Sequence, residues 1–197
     1  MIISSSSIVK EHVSQKMSTL NAIELTLLSE NVENLKFKQP FLFEYVENGG
    51  NLIVQYNTAN RWRAQFDNIA PYELSISRDR VTNENAQVNV LAQDHSLINF
   101  PNTITEDDFD NWVQERGLYF PNQWGPEFTP ILSMNDKGES PKEGSLLVAP
   151  YGKGHYIYTG LSFFRELPAG VSGAYKLFAN MLSIGKSEMK SENNVKG

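Results

Sequence analysis

Residues Gly144 to Gly185, GSLLVAPYGKGHYIYTGLSFFRELPAGVSGAYKLFANMLSIG, constrain the fold of this chain more than any other stretch. Ser145 to Ala149 form a short apolar run, Tyr151-Gly152-Lys153-Gly154 reverses the chain, and His155 to Leu161 are rich in β-branched and aromatic residues. That order predicts a hairpin, with Gly152 and Gly154 able to adopt positive φ in the turn. Leu177, Phe178, Met181, Leu182 and Ile184 then recur at helical spacing, and Gly185 is placed to stop the helix. Between strand and helix lies a polar corner, Ser162 to Gly173, just beyond a strand end, where α/β sheets place ligands.

Upstream, Ala22 to Leu28 and Leu52 to Tyr56 read as compact strands covered on both faces. Gln39 to Asn48 reads as a helix, with Pro40 in its first turn, Phe41, Leu42, Tyr45 and Val46 on its apolar face, and Gly49-Gly50 at its end. This β-α-β succession predicts a parallel sheet with a right-handed crossover. Residues 57–143 read as a loop-rich insertion containing short strands at Val88 to Leu91 and Phe128 to Met134. Within it Thr105-Glu106-Asp107-Asp108 has capping-box spacing and predicts a short helix through Phe109, Trp112 and Val113, and Gln114 to Trp124 reads as an aromatic loop. Met1 to Leu20 carries only short β signals, and the polar tail 186–197 reads as disordered. One domain over residues 1–185 is expected.

Charge and composition remove several classes of function. The 197 residues carry a formal net charge of -6, and the pI is near 5.1, so no basic stripe exists for nucleic acid or an anionic membrane. A neutral or weakly basic ligand fits better. With no cysteine there is no disulfide, thiolate metal site or cysteine nucleophile. No apolar run approaches the about 20 residues that span a bilayer, and the start lacks the basic region of a signal peptide. Both cytoplasm and periplasm stay open as compartments.

Site motifs are equally sparse. His12, His95 and His155 form no zinc-binding cluster, and Asp94-His95 reads as a surface pair, so neither metal nor cofactor is expected. There is no G-x-S-x-G elbow, and the GKG at 152–154 precedes a strand where a phosphate loop needs a helix. Asp107, Asp108, Asp110 and Glu115 gather around Trp112, either as helix-start charges or as general acid and base groups. A mixture of Trp62, Tyr72, Trp112, Tyr119, Phe120 and Trp124 with Arg78, Arg80, Glu115 and Arg116 suits a sugar or a protein partner, or else packs a small subcore.

Four stretches, YVENGGNLIVQYNT (45–58), RDRVTNENAQVNVL (78–91), PNTITEDDFDNWVQERGLYFPNQW (101–124) and GSLLVAPYGKGHYIYTGLSFFRELPAGVSGAYKLFANML (144–182), carry a resemblance. Their succession resembles the C-terminal region of large bacterial PIG-L-type (LmbE-like) deacetylases, a region related to class I glutamine amidotransferases and the ThuA-like family. The resemblance implies a three-layer α/β, flavodoxin-like or amidotransferase-like fold, with a mainly parallel sheet, a C-terminal hairpin and a closing helix. The deacetylase's A-H-P-D-D zinc motif has no counterpart in this chain, and the strand LIVQY runs into Tyr56-Asn57-Thr58 where amidotransferases carry a cysteine.

The expectation is therefore a non-catalytic accessory module for binding or assembly in carbohydrate handling, with a deacetylase domain or subunit as partner. A carboxylate-dependent hydrolase acting on a sugar and a homo-oligomerisation module are the alternatives. The candidate pocket lies between Tyr56, Asn57, Arg80, Glu115, Arg116 and Arg165, with Trp112 or Tyr119 as an aromatic wall.

Overall fold

A short buried strand at Asn51–Gln55 meets, in parallel, the second strand of a hairpin formed by Leu146–Tyr151 and Gly154–Thr159. The structure is a computed structural model that describes residues 2–3, 23–26, 32–55, 57 and 69–185, with side chains from Gln39 onward. Tyr56, Trp62, Phe66, the tail 186–197 and all of the Met1 to Leu20 stretch except Ile2 and Ile3 lie outside the described residues. The elements are β1 (Ile2–Ile3), β2 (Ile23–Thr26), α1 (Val32–Glu47), β3 (Asn51–Gln55), β4 (Leu74–Val81), β5 (Val88–Val90) and α2 (Ser96–Asn99). A 3-10 turn (Glu106–Phe109) follows, ending at an extended Asp110 short of the Trp112 and Val113 expected in a helix, then β6 (Gly117–Trp124), β7 (Thr129–Pro130), β8 (Leu132–Met134), β9 (Leu146–Tyr151), β10 (Gly154–Thr159), α3 (Phe163–Glu166) and α4 (Ser172–Ser183).

The main sheet has the order β1-β2-β3-β10-β9-β7. Its β1-β2-β3-β10 half is parallel and its β10-β9-β7 half is antiparallel. Two further antiparallel pairs, β4-β6 and β5-β8, stand apart from it. The expected three-layer, mainly parallel flavodoxin-like or amidotransferase-like sheet is thus overturned in favour of a mixed α/β architecture. The physical reason is local: a tight hairpin forces β9 antiparallel to β10, and β4, β5, β6 and β8 pair as ribbons where further β-α units would have extended a parallel sheet.

Alternation along the central strands divides the core in two. Ile53, Ile157, Leu146 and Val148 pack with Ala174, Leu177 and Met181 of α4, whereas Leu52, Val54, Tyr156 and Tyr158 pack with Leu42 and Val46 of α1 and with Phe128. Each such side chain contributes about 1.5–3 kcal/mol by leaving water. The two phenols keep their hydrogen bonds, since Tyr156 Oη donates to the Ile69 carbonyl and Tyr158 Oη to the Tyr119 carbonyl, both at 2.9 Å. Burial raises the pKa of both.

Helix α1 begins earlier than its proline implied, so Pro40 lies inside it. At its other end, Gly49 adopts φ 110° and the hairpin turn docks on the helix terminus, where Lys153 N–H donates to the Glu47 carbonyl at 2.9 Å. Gly152 has the expected positive φ of 60°. Gly154 is needed for a different reason: a Cβ there would stand 2.0 Å from the Gly50 carbonyl oxygen. Helix α4 is approached just as closely, because a Cβ on Gly173 would meet the Asp108 carbonyl at 1.7 Å.

Of residues 114–124, expected as an aromatic loop, Gly117–Trp124 instead form strand β6, which pairs with β4 through several register shifts. Tyr119 sits at one of them with φ 59°. Phe128 to Met134 is likewise broken into β7 and β8. After β8, Asp136 ties the ribbons together by accepting from Thr82 N–H, Thr82 Oγ1 and Asn83 N–H at 2.9–3.1 Å. Burial alone would raise the pKa of Asp136, but the Thr82 and Asn83 donors and the Arg80 charge together hold it below the usual value. A group depressed in the folded state stabilises above its unfolded pKa, and that contribution disappears as pH falls through the folded value. Asp136→Ala is expected to cost about 1–2 kcal/mol in denaturant titrations at neutral pH, with the difference from the parent chain shrinking below about pH 4. Among the described residues, no helix is long and apolar enough to cross a membrane.

Candidate functional site

The chain leaves β10 through Gly160 and Leu161, and the predicted polar corner follows. Because β10 is parallel to β3, this corner arrives at the same end of the sheet as Asn57, two residues beyond β3. Residues 115–118 lie against the corner: Ser162 N–H donates to the Arg116 carbonyl at 3.1 Å, Leu118 N–H to the Gly160 carbonyl at 2.9 Å, and Gly117 bridges to Leu161. Glu115, Arg116 and Arg165 are therefore brought together as expected. Their bonds point inward, however.

Glu115 Oε1 accepts from Arg165 Nε at 3.1 Å and from Ser162 Oγ at 3.3 Å. The Arg165 guanidinium also lies 4.8 Å from the centre of the Phe164 ring. Arg116 is buried, and its Nε and Nη2 both donate to the Ala86 carbonyl, at 3.0 and 2.7 Å, while Nη1 donates to the Phe109 carbonyl. It is flanked by the rings of Trp112, at 5.6 Å, and Phe109, at 6.0 Å. Burial pushes its pKa down to about 10, partly opposed by Glu166, Asp110 and Glu84, so it remains a cation at neutral pH. Trp112 is not a pocket wall: it is buried among Phe109 and Phe163, with Nε1 bonded to the Asp108 carbonyl at 3.1 Å. Tyr119 is half-buried against the α1-side core.

The acidic group around Trp112 also resolves into structure. Asp108 accepts from Thr105 N–H at 2.9 Å, as the capping-box spacing predicts, and from Lys176 Nζ at 2.7 Å. Burial would raise its pKa, but the Lys176 and Thr105 donors outweigh it and hold the carboxyl below the usual value. Sequence reasoning missed the carboxyl that does move upward. Glu166 is fully buried; Oε2 accepts from Val113 N–H at 3.0 Å, while Oε1 has no hydrogen-bond partner. Burial raises its pKa against the pull of Val113 N–H, Arg116 and Arg165. Its neighbours Phe163, Phe164 and Leu167 are apolar but Arg165 directly precedes it, so the stretch reads as a polar corner and gives no local signal of the burial.

Arg80 stands elsewhere. It lines a cleft of about 540 Å³ formed by the β4-β6 ribbon and the 139–143 loop, together with Asp79, Asn122, Trp124 and Lys142. None of Glu115, Arg116 or Arg165 lines it. Trp124 is half-buried, so packing holds the ring while part of it stays accessible. Lys142 is ion-paired to Glu139 at the rim. Carboxylates (Asp79, Glu139, Glu143) outnumber cations (Arg80, Lys142) in this lining, an arrangement suited to a neutral hydroxylated ligand. Among the described residues, no group of three or more His, Asp or Glu side chains could hold a metal ion.

Fold and corner together define a mixed α/β domain with a parallel-to-antiparallel switch at β10. No family model matches the chain, and no curated protein matches it either. Among solved structures it is similar to the cytoplasmic protein STM3548 from Salmonella typhimurium, with a TM-score of 0.56 and 15% identity over 88% of this chain and 74% of that one. It also matches the cytoplasmic protein STM1381 from Salmonella typhimurium LT2 (TM-score 0.47, 12% identity, 82% and 70% covered). A third match is a β-galactosidase from Rahnella sp. R3 (TM-score 0.46, 17% identity, 86% and 23% covered). At these identities the first likeness speaks for the fold alone.

Proposed function

We propose that this chain is a non-catalytic accessory module of carbohydrate handling, which binds a saccharide and assembles with a PIG-L-type N-acetylglucosaminyl deacetylase domain or subunit. The observation that carries the binding half is the ribbon cleft, where an aromatic ring, an amide, a guanidinium and carboxylates converge around about 540 Å³. Sugars are recognised by such sets, because apolar ring faces stack on an indole while hydroxyls meet planar donors and acceptors. The assembly half rests on the four sequence stretches that resemble the C-terminal region of those deacetylases.

The non-catalytic part is supported by how the corner uses its charges. Arg116, Asp108 and Glu115 are committed to internal hydrogen bonds that hold the backbone. A hydrolase reading needs a carboxyl of raised pKa facing a cleft. Asp108 is shifted downward, and Glu166, which is shifted upward, is fully buried.

Calorimetric titration with neutral, acetamido and uronate oligosaccharides tests the proposal. Binding of a neutral or acetamido sugar is expected, with Trp124→Ala weakening it about tenfold or more while a thermal melt shows the variant still folded at the titration temperature. Failure of every sugar to bind, or binding indifferent to Trp124→Ala, would remove the cleft from consideration. Co-purification with a PIG-L-type deacetylase tests the assembly half separately.

A further inference from the structure

Glu166 lies at the junction of the corner and the 110–117 segment, and the saccharide cleft makes no use of it. Its carboxyl is fully buried, and its one hydrogen bond reaches across to the backbone of Val113. The second oxygen has no partner. Both nearby guanidinium groups are hydrogen-bonded elsewhere, Arg116 to the Ala86 and Phe109 carbonyls and Arg165 to Glu115. A carboxylate in that position leaves a charged oxygen without a donor, whereas a neutral acid leaves only a hydroxyl or carbonyl.

The held segment is itself strained. Asn111 and Gln114, on either side of Trp112 and Val113, adopt left-handed φ values of 59° and 68°. Asparagine tolerates that region, whereas Gln114 keeps it only where surrounding bonds impose it. The Glu166 to Val113 bond is one of those restraints.

We infer that Glu166 is a protonation latch: as a neutral acid it holds Val113 and the 110–114 segment closed against the corner, and its ionisation favours release of that segment. The groups that act on the carboxyl are Glu115 and Arg116 from the held segment and Arg165 from its own helix. Asp110 and Glu84 act on Arg116 in turn. The buried Oε1 without a donor disfavours the ionised closed form, and the upward shift of the carboxyl agrees with it. Closure is fully favoured below the ordinary glutamate value and is lost as pH rises through the closed-form value.

Amide hydrogen exchange of Val113, measured by NMR and corrected for intrinsic rates, tests the latch. Between about pH 5 and about pH 8 protection at Val113 is expected to fall about tenfold in the parent chain. In Glu166→Gln, which cannot ionise, protection should stay constant. Constant protection in the parent chain, or an equal fall in the variant, would overturn the inference. Should Glu166→Gln not fold, the 13C carboxyl titration of Glu166 in the parent chain decides: a midpoint at or below the ordinary glutamate value refutes the latch, and one clearly above it supports it.

Discussion

Arg116→Leu is expected to lower the stability of the folded chain by about 4 kcal/mol, the scale seen when a buried, hydrogen-bonded charge is removed from its partners. The side chain is 4% exposed, so none of its three donor contacts is replaced by solvent when it is lost. The Ala86 and Phe109 carbonyls would be left buried without a donor, each at about 1–3 kcal/mol. The gap between Trp112 and Phe109 would also lose its cation. Arg116→Lys should recover only part of this, because one ammonium cannot fork between two carbonyls as a guanidinium does. With a folded-state pKa near 10, below the free value, the group is charged throughout the neutral range, and its contribution changes only above about pH 10. Urea titrations should therefore give a loss that is flat from about pH 6 to about pH 9, with an unchanged slope. An unchanged midpoint would return Arg116 to the list of ligand-binding candidates.

Asn180→Ala should cost about 3 kcal/mol by a different route. Asn180 is fully buried in α4, where Nδ2 donates to the Leu97 carbonyl at 2.9 Å and the Asn102 carbonyl at 2.7 Å. Its Oδ1 accepts from Asn102 N–H at 2.9 Å and from Asn102 Nδ2 at 3.1 Å. One amide thus fastens the closing helix to the loop after α2, and alanine would orphan buried groups on both sides. Thermal melts give the loss, and exchange of the Asn102 amide locates it. Asn180→Asp sharpens the test: a carboxylate facing two carbonyls has a raised pKa, so this variant should be more stable in acid than at neutral pH. A melting temperature of Asn180→Ala equal to that of the parent would show that the helix is held by its apolar face alone.

Local chemistry made several elements legible in advance. Turn glycines between two apolar runs imply a hairpin, and β9 and β10 pair antiparallel from Gly154↔Tyr151 to Thr159↔Leu146. Helical spacing from Leu177 to Ile184 implies the closing helix, which runs over Ser172–Ser183. The Thr105 to Asp108 spacing implies a cap, and the Asp108 carboxylate does accept the Thr105 N–H. In each case the free energy that selects the structure comes from residues a few positions apart, so the pattern is written in consecutive letters.

Tertiary structure decided what such patterns do not contain. Strand β10 pairs in parallel with β3, His155 against Asn51, and nothing near either residue specifies a partner about a hundred positions away. Strand β4 reads as loop because its polar and charged residues face outward on a ribbon; LSISRDRV has buried positions only at Ile76 and Val81. Arg116 looked like a ligand contact because an arginine beside glutamate and tryptophan has the same letters whether it faces a crevice or two backbone carbonyls. Which of the two it faces is set by how the 105–117 segment packs on the corner after β10, and that packing is a property of the folded chain alone.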